Sequence, residues 1–258
     1  MSHISYSEMK IWNECPFKHK LIYIDKIKKF VGNEYTAFGT AIHSLCENIV
    51  LEQLQEENYE DYFDVTFLNE LESLKGQVEF RKDLVSDMRH QAYKLSTQIE
   101  PALNKCFQNY EVFSVEEKLF EKINDFSLDK YNFKGYIDLV IKTEDGKYHV
   151  IDWKSCSWGW DAKKRSDSVI SYQLTLYKKY FCQKHDIDPS LVETHFALLK
   201  RTAKKDNVEI FRVTSGPRKT QNALNLLIKA VTNISKSNTP KNRLSCQGCE
   251  FYKTKNCP

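Results

Sequence analysis

The sequence lacks the features that would assign it to a membrane, secreted or ATP-driven class. It has no uncharged apolar run of membrane-spanning length. The segment that begins at Met1 has no charged stretch followed by an apolar one, so it does not resemble a signal peptide. It also lacks the Gly-x4-Gly-Lys-Ser/Thr pattern, so any ATP-driven step would need a partner. We therefore expect a soluble, intracellular protein of the cytoplasm.

An excess of charge is also missing. The formal net charge of the 258 residues is only +3, so any affinity for nucleic acid must come from a local basic groove. Eight cysteines in a chain expected to be intracellular argue against a disulfide framework and favour metal ligation. The length and a hydrophobic fraction of 41% are enough for a substantial core.

Two alternating apolar runs predict a β-hairpin that brings two aspartates together. If residues 144–146 form a three-residue loop with its glycine in the left-handed conformation, Asp138 falls directly opposite Asp152. Side chains alternate along a strand, so Lys154 should point the same way as the acids. The hairpin therefore predicts two carboxylates and an amine on one face.

Two such carboxylates repel each other, and a divalent cation that takes oxygen ligands from both relieves the repulsion. Bound Mg²⁺ or Mn²⁺ would lower the pKa of a water and stabilise charge on a phosphoryl oxygen. Lys154 would orient that water or neutralise the developing charge. The alternative is a hairpin whose acids are solvated at a strand end, and this pattern alone favours neither interpretation.

Asp138 followed by Asp152-Trp153-Lys154 resembles the split Asp…(Asp/Glu)-x-Lys signature of the PD-(D/E)XK nuclease superfamily. Three more features, in the expected order, resemble its RecB-type branch: a histidine on an upstream helix, a glutamate-bearing strand, and a later helix with Gln173 and Tyr177. The resemblance spans nearly the whole chain. It implies an α/β restriction-endonuclease-like core, with a mixed central sheet flanked by helices. It also implies hydrolysis of DNA phosphodiester bonds, as an exonuclease, in DNA processing, recombination or repair.

The resemblance also assigns roles to residues. Gln173 and Tyr177 would approach the metal-bound substrate, and Lys154 would assist the nucleophile. The implied metal ligands are three side chains and one backbone carbonyl, namely His43, Asp138, Asp152 and Trp153.

A glutamate of the strand before the hairpin would support the metal site. Alternation along this strand places Glu117 with Val115 and Leu119, and Glu116 on the opposite face. We choose Glu117, although a register error of one residue would select Glu116. A charged outer face of the strand is the alternative.

Aromatic and basic side chains alternate in the loop after the hairpin, and a basic turn follows a later strand. Aromatic faces stack on unpaired bases while lysine and arginine follow phosphates, so the loop suits single-stranded nucleic acid, and the turn is a candidate phosphate contact. A solvated charged loop is the alternative. The candidate nucleic-acid-binding residues are Trp158, Lys163, Lys164, Arg165, Lys200 and Arg201.

Three cysteines lie close together near the carboxy terminus, and Cys15, beside Pro16, is the natural fourth if the termini meet. This pattern resembles the cluster of iron-sulfur nucleases such as the AddB-type subunit and the CRISPR-associated RecB-like exonuclease. The resemblance implies a 4Fe-4S cluster, with structural Zn²⁺ as the rival. The implied ligands are Cys15, Cys246, Cys249 and Cys257.

We expect a single nuclease domain over residues 1–258. It would contain a helical insertion over 53–110 and an iron-sulfur or zinc subdomain formed by 1–25 and 240–258. The expected partner is DNA that is single-stranded or has free ends, together with a helicase or recombination protein. The alternative function is a DNA-binding accessory module of recombination or replication, with a structural four-cysteine metal centre and little or no catalysis. RNA is a third, less favoured substrate.

Overall fold

In a computed structural model that describes residues 2–27, 30–123 and 130–258, six strands form one mixed sheet with helices on both faces. Met1 of the expected amino-terminal subdomain lies outside the described residues. The α/β expectation with a mixed central sheet is confirmed. The strands are β1 (Ser2–Ser5), β2 (Tyr110–Lys122), β3 (Tyr131–Thr143), β4 (Tyr148–Cys156), β5 (Val192–Lys200) and β6 (Val208–Arg212). The helices are α1 (Tyr6–Glu14), α2 (Pro16–His19), α3 (Glu34–Val50), α4 (Tyr59–Leu74), α5 (Lys82–Cys106), α6 (Ala162–Ser166), α7 (Ser168–His185) and α8 (Pro217–Ser235).

Strand β3 has one partner along one edge and two successive partners along the other, and the point where those two separate is a fork in the sheet. Along one edge it pairs antiparallel with β2. On the other edge, β1 pairs in parallel with residues 131–134, and β4 pairs antiparallel with residues 139–142. Residues 135–138 therefore lie between two different partners.

The predicted hairpin is confirmed. The amide of Thr143 donates to the carbonyl of Lys147 over 3.0 Å, and Gly146 adopts φ +79°. A positive φ is readily adopted by glycine, which has no Cβ. The last pair of the ladder is Leu139 with Ile151, so the next position in the same register sets Asp138 opposite Asp152. The two aspartates lie where β3 and β4 begin to separate.

Two apolar cores lie on opposite faces of the sheet. The first includes Phe133, Tyr180 and Leu227 and involves α1, α7 and α8. The second includes Phe38 and Trp153 and involves α3, α4 and α5. Each fully buried side chain of this size contributes roughly 1.5–3 kcal/mol relative to exposure. The sheet is therefore held firmly between helical layers, and helices from both layers reach the fork.

The first helix begins where its sequence predicts. The Ser5 hydroxyl accepts a hydrogen bond from the Glu8 amide over 3.1 Å, as an N-cap residue does. The helix ends at Glu14, with the extended Cys15 as its C-cap, and Pro16 starts α2. Strand β1 was not expected, because its four residues pair only with a segment about 130 positions away.

The stretch expected as a helical insertion contains α4 and α5, which supply much of the second core. It is therefore one of the two layers that cover the sheet. The division of residues 1–258 into one domain with a subdomain stays a prediction. Among the described residues, no helix is both long and apolar enough to cross a membrane.

Candidate active site

The two aspartates of the hairpin meet at the fork. One carboxylate oxygen of Asp138 (Oδ2) accepts a hydrogen bond from the backbone amide of Trp153 over 2.7 Å. The ammonium of Lys154 lies 2.5 Å from Oδ2 of Asp152, whose side chain is almost completely buried. Strand β4 thus holds both acids: the Trp153 amide fixes the carboxylate of Asp138, and an ion pair with Lys154 fixes that of Asp152.

Helix α7 approaches the acids from the side of the first core. The amide nitrogen of Gln173 donates to Oδ1 of Asp152 over 2.7 Å and lies 3.2 Å from the Tyr177 hydroxyl. Gly135 makes room for this helix, because a Cβ there would lie only 2.8 Å from a ring carbon of Tyr177. Four of the predicted residues, Asp138, Asp152, Lys154 and Gln173, are therefore brought together, and Tyr177 borders them.

Helix α3 approaches from the opposite side and carries His43. Its Nδ1 lies 3.7 Å from Oδ2 of Asp138. Burial, followed by the charge of Lys154, lowers the pKa of His43 to about 4. The imidazole is therefore neutral at pH 7, which is the form that binds a metal.

Burial raises the pKa of both aspartates. For Asp138 the charge of Asp152 raises it further, whereas for Asp152 the charge of Lys154 opposes the increase. A divalent cation would remove this repulsion, and two carboxylates with one neutral imidazole suit Mn²⁺ well and Mg²⁺ acceptably.

In the part of the chain that the structure describes, the ligand atoms of Asp138, Asp152 and His43 do not all lie within 4.8 Å of one another. Mg²⁺ keeps several waters when it is bound, so waters and a backbone oxygen would complete the ligand set. That the Trp153 carbonyl supplies this backbone oxygen stays a prediction.

The structure does not bring Glu117 to the acids. Glu117 instead contacts Lys184 (2.5 Å) and His185 (2.9 Å) of α7. Glu116 is the residue across from Asp138, because the pairs on either side of it join residues 115 to 139 and 117 to 137. Its charge also raises the pKa of Asp138.

Simple alternation failed here because β2 is irregular. The pairing shifts between Val112 and Ser114, and Glu116 has a left-handed φ of +45°. As a result, Val115 packs against the second core while Leu119 belongs to the first. The geometry therefore favours Glu116 over Glu117 as the glutamate beside the acids, and its role stays a prediction.

Two cavities flank the start of α1, one on each side of Tyr6 and Ser7. Their volumes are about 760 Å³ and 470 Å³. Asp138 lines the first and Lys154 lines the second, so the acid site lies between them. The basic residues that line the two cavities are Lys26 and Lys134 in the first, and Lys10, Lys154 and Lys164 in the second.

Sequence reasoning missed most of this basic groove. From sequence alone, Tyr6 fits the apolar face of a helix with Met9 and Trp12. Tyr6 and Lys10 are four residues apart on α1, and both line the second cavity. That spacing was the one signal in the sequence that could have indicated a shared surface.

The residues predicted to bind nucleic acid divide into two groups. Trp158 is 72% exposed, Lys163 is exposed, and Lys164 lines the second cavity, so these three are accessible. Arg165 and Lys200 both form ion pairs with Glu209, at 2.7 and 3.2 Å.

Arg201 belongs with the paired residues. It is buried and donates to Gln91 (2.9 Å) and Ser157 (3.2 Å). Its guanidinium also lies over the rings of Tyr35 and Phe38. The prediction for Arg201 is corrected: it ties the β5–β6 turn to α3 and α5 and is not free to follow phosphates.

The two ends of the chain meet beside α1. The backbone amide of Asn242 donates to the sulfur of Cys15 over 3.3 Å, and its side chain donates to the carbonyl of Glu14 over 2.8 Å. The amide of Phe17 donates to the carbonyl of Pro240 over 3.2 Å. The termini are thus joined by hydrogen bonds.

A cavity of about 330 Å³ lies at this junction. Within the described residues, no three of the cysteine sulfurs that line it fall within 4.8 Å of one another, so they do not form a tight cluster. The cysteines that line the cavity are Cys15, Cys246, Cys249 and Cys257.

The model of the PD-(D/E)XK nuclease superfamily matches residues 3–254 of the chain. This match covers almost the whole sequence, including both aspartates and the lysine at the fork. The chain belongs to the PD-(D/E)XK nuclease superfamily.

Among solved structures, the chain is similar to a candidate exonuclease from Eubacterium rectale. The identity is 13%, the TM-score is 0.59, and the match covers 98% of this chain and 87% of the other. This likeness supports the fold alone. The structure of SSO0001 also matches, at 15% identity over 95% of this chain and 93% of that one, but its TM-score of 0.39 supports no argument. No curated protein matches the sequence significantly.

Proposed function

We propose that this protein is a Mg²⁺- or Mn²⁺-dependent deoxyribonuclease that acts as an exonuclease in DNA processing, recombination or repair. The observation that carries the proposal is the meeting of Asp138, Asp152 and Lys154 at the fork, within hydrogen-bonding reach of Gln173. A module that only bound DNA would have no need to hold two acids, one of them almost completely buried, beside a lysine. Membership of the superfamily supports the same conclusion.

Each residue has a distinct role in this proposal. Asp138, Asp152 and His43 hold the cation, and the Trp153 amide keeps the Asp138 carboxylate in place. A divalent cation bound here lowers the pKa of a water and offsets negative charge that develops on phosphate. The Lys154 ammonium orients the attacking water, since it already lies against Asp152.

Two further residues act on either side of the acids. Gln173 fixes the orientation of Asp152, and Tyr177 lies beside it where substrate would pass. Glu116 adds negative charge next to Asp138 and so increases the attraction of the site for a cation. These are supporting roles, because the acids and the lysine carry the chemistry.

The proposed DNA path follows the two cavities beside α1. A single strand that crossed from one to the other would pass the acids, with lysines on both sides of the cut. Lysine side chains neutralise phosphates without reading sequence. Trp158, Lys163 and Lys164 extend this path, and the exposed tryptophan offers a face for a base to stack on.

For the cysteine-lined cavity we propose a 4Fe-4S cluster. Zinc would draw four thiolates to about 3.8 Å from one another, given Zn–S bonds of about 2.3 Å in a tetrahedron. An iron-sulfur cluster spaces its thiolates more widely, because each one binds a different iron. All four cysteines line the same cavity, which supports a centre shared by the two chain ends, and metal analysis with the visible spectrum distinguishes the cluster from zinc.

The test is digestion of end-labelled single- and double-stranded DNA by protein purified without oxygen, with Mn²⁺, Mg²⁺ or EDTA. We expect cleavage that requires the divalent metal and proceeds from an end, and a broad visible absorption band from the same sample. Labelled RNA of the same sequence serves as the comparison substrate. A colourless protein that contains zinc and binds DNA without cutting it would favour the accessory module.

A further inference from the structure

Two histidines and a glutamate meet at the hairpin end of β4 and β5, on the face of the sheet that carries the second core. His149 and Glu193 are partners in the β4–β5 register, and His195 lies two residues further along β5. The ring nitrogens Nδ1 of His149 and Nε2 of His195 are 3.1 Å apart. One ligand atom from each of the three residues lies within 4.8 Å of the other two.

We propose that His149, Glu193 and His195 form a second divalent-metal site, of the zinc class, separate from the acid pair. Two nitrogens bound to one tetrahedral zinc at about 2.0–2.1 Å would be about 3.4 Å apart. The observed separation needs a movement of only a few tenths of an ångström. Two imidazoles with one carboxylate favour zinc and its neighbours over Mg²⁺, which prefers oxygen ligands.

The surroundings hold these side chains as metal ligands are usually held. The Thr143 hydroxyl lies 3.1 Å from Nε2 of His149, which leaves the other nitrogen to face His195. Arg212 lies 3.2 Å from one oxygen of Glu193, and the carboxylate has a second oxygen for a metal. Such outer contacts fix the orientation of ligands and tune their affinity.

The ring of Phe107 covers both histidines, with centroids 4.7 and 5.0 Å away. Only 7% of His149 and 4% of His195 is exposed. Burial is also the main cause that lowers the pKa of both, to about 3 for His195, so both rings are neutral at pH 7. Neutral imidazoles can bind a metal without first losing a proton.

The simpler explanation is a hydrogen bond between the two rings. That bond uses Nδ1 of His149 and Nε2 of His195, and the buried Nδ1 of His195 has no hydrogen bond under either explanation, so Glu193 decides between them. Glu193, on the same strand, has no role in such a bond. A metal site uses all three side chains together.

A metal here would tie β4 and β5 together beneath the end of α5. His149 shares its face of β4 with Ile151 and Trp153, which belong to the second core, whereas Asp152 points to the other side. We therefore expect a structural role that does not depend on the proposed nuclease activity.

The test compares the zinc content of wild-type protein and Glu193→Gln. Both are purified without oxygen so that the cysteine centre stays intact, dialysed against Zn²⁺ and analysed by mass spectrometry for metal. Glutamine keeps the size of the side chain but is a poor ligand, so we expect one equivalent fewer. The matched control is Asp188→Asn, an exposed carboxylate just before β5 that the cluster does not include. Equal zinc in wild type and Glu193→Gln would overturn the proposal.

A second measurement uses wild-type protein alone and so does not depend on the variant folding. Crystals soaked in Zn²⁺ are measured on both sides of the zinc absorption edge. We expect an anomalous peak between the rings of His149 and His195, and an empty position there would contradict the proposal.

Discussion

The acid site and the cysteine-lined cavity are built in opposite ways. The acids lie inside the sheet, between two cores, and hydrogen bonds from β4 and α7 hold them. The cysteines lie on chain ends, and between residues 236 and 258 only Phe251 is buried. The comparison teaches that hydrogen bonds and two apolar cores hold the acids in place, whereas the cysteines have little apolar burial around them to do the same.

The sharpest test of this comparison is Asp138→Asn. We expect a loss of nuclease activity of at least about 1000-fold, because a neutral amide is a poor partner for the cation. The variant should still fold, because both cores and the hydrogen bond from the Trp153 amide remain, and relief of the repulsion between the acids should change its melting temperature only slightly. Digestion of labelled DNA and thermal unfolding in the same buffer measure both effects.

The control is Asp145→Asn at the exposed hairpin tip, which should keep full activity. Metal-dependent cleavage by Asp138→Asn at the wild-type rate would remove the acid pair from the proposed chemistry.

Cys15→Ala tests the other half of the comparison. We expect a loss of stability on the order of 3 kcal/mol, because a metal centre contributes directly to folding energy. For a chain of this size that corresponds to about 6–12 °C in melting temperature. The exposed Cys106 offers the control Cys106→Ala, which should change little. Equal melting temperatures for Cys15→Ala and wild type would contradict a structural centre at the termini.

The two glutamates of β2 allow a direct comparison of neighbouring residues. We expect Glu116→Gln to lower the cleavage rate about 10- to 100-fold, as loss of an outer-sphere partner does. Glu117→Gln should leave the rate nearly unchanged and weaken only the contact with Lys184 and His185. Rates at saturating Mn²⁺ and at limiting Mn²⁺ measure the effect. The opposite ranking would restore the original choice of Glu117.

The smallest effect concerns pH in metal-free protein. The folded state raises the pKa of Asp138 and Asp152, so it binds more protons than the unfolded chain. The stability contribution of the pair is therefore lost as pH rises from the ordinary carboxyl pKa, near 4, through the raised values.

In EDTA at pH 7 we therefore expect Asp138→Asn to melt at a higher temperature than wild type, and the difference to shrink toward pH 4. Saturating Mg²⁺ should reverse the order. A difference in melting temperature between Asp138→Asn and wild type that stayed the same at all pH values would show that ionisation of the acid pair does not destabilise the fold.

The hairpin, the acid pair and the later elements could be predicted from sequence, because each depends on local pattern. Residues 144–146 and the alternation around them define the register without help from the rest of the chain. The later helix with Gln173 and Tyr177 was likewise expected from its amphipathic pattern, and in the structure Asp167 caps it through the amides of Val169 and Ile170.

Other features could not be predicted, because they depend on contacts between distant segments. Strand β1 exists only through its pairing with β3. Glu116 lies across from Asp138 because its own backbone is left-handed and the pairing of β2 shifts, and a simple alternation of side chains reveals neither feature. Arg201 is of a residue type that often contacts phosphate, but its guanidinium donates to Gln91 and Ser157 and packs over two aromatic rings.

The junction of the chain ends has a consequence for biosynthesis. The hydrogen bond from Asn242 to Cys15 joins residues 227 positions apart, and Cys257 is made later still. The ribosome therefore exposes Cys15 and the sheet long before Cys246, Cys249 and Cys257 exist. Insertion of the proposed cluster would therefore wait until Cys257 emerges, which would make it a late step in the maturation of the protein.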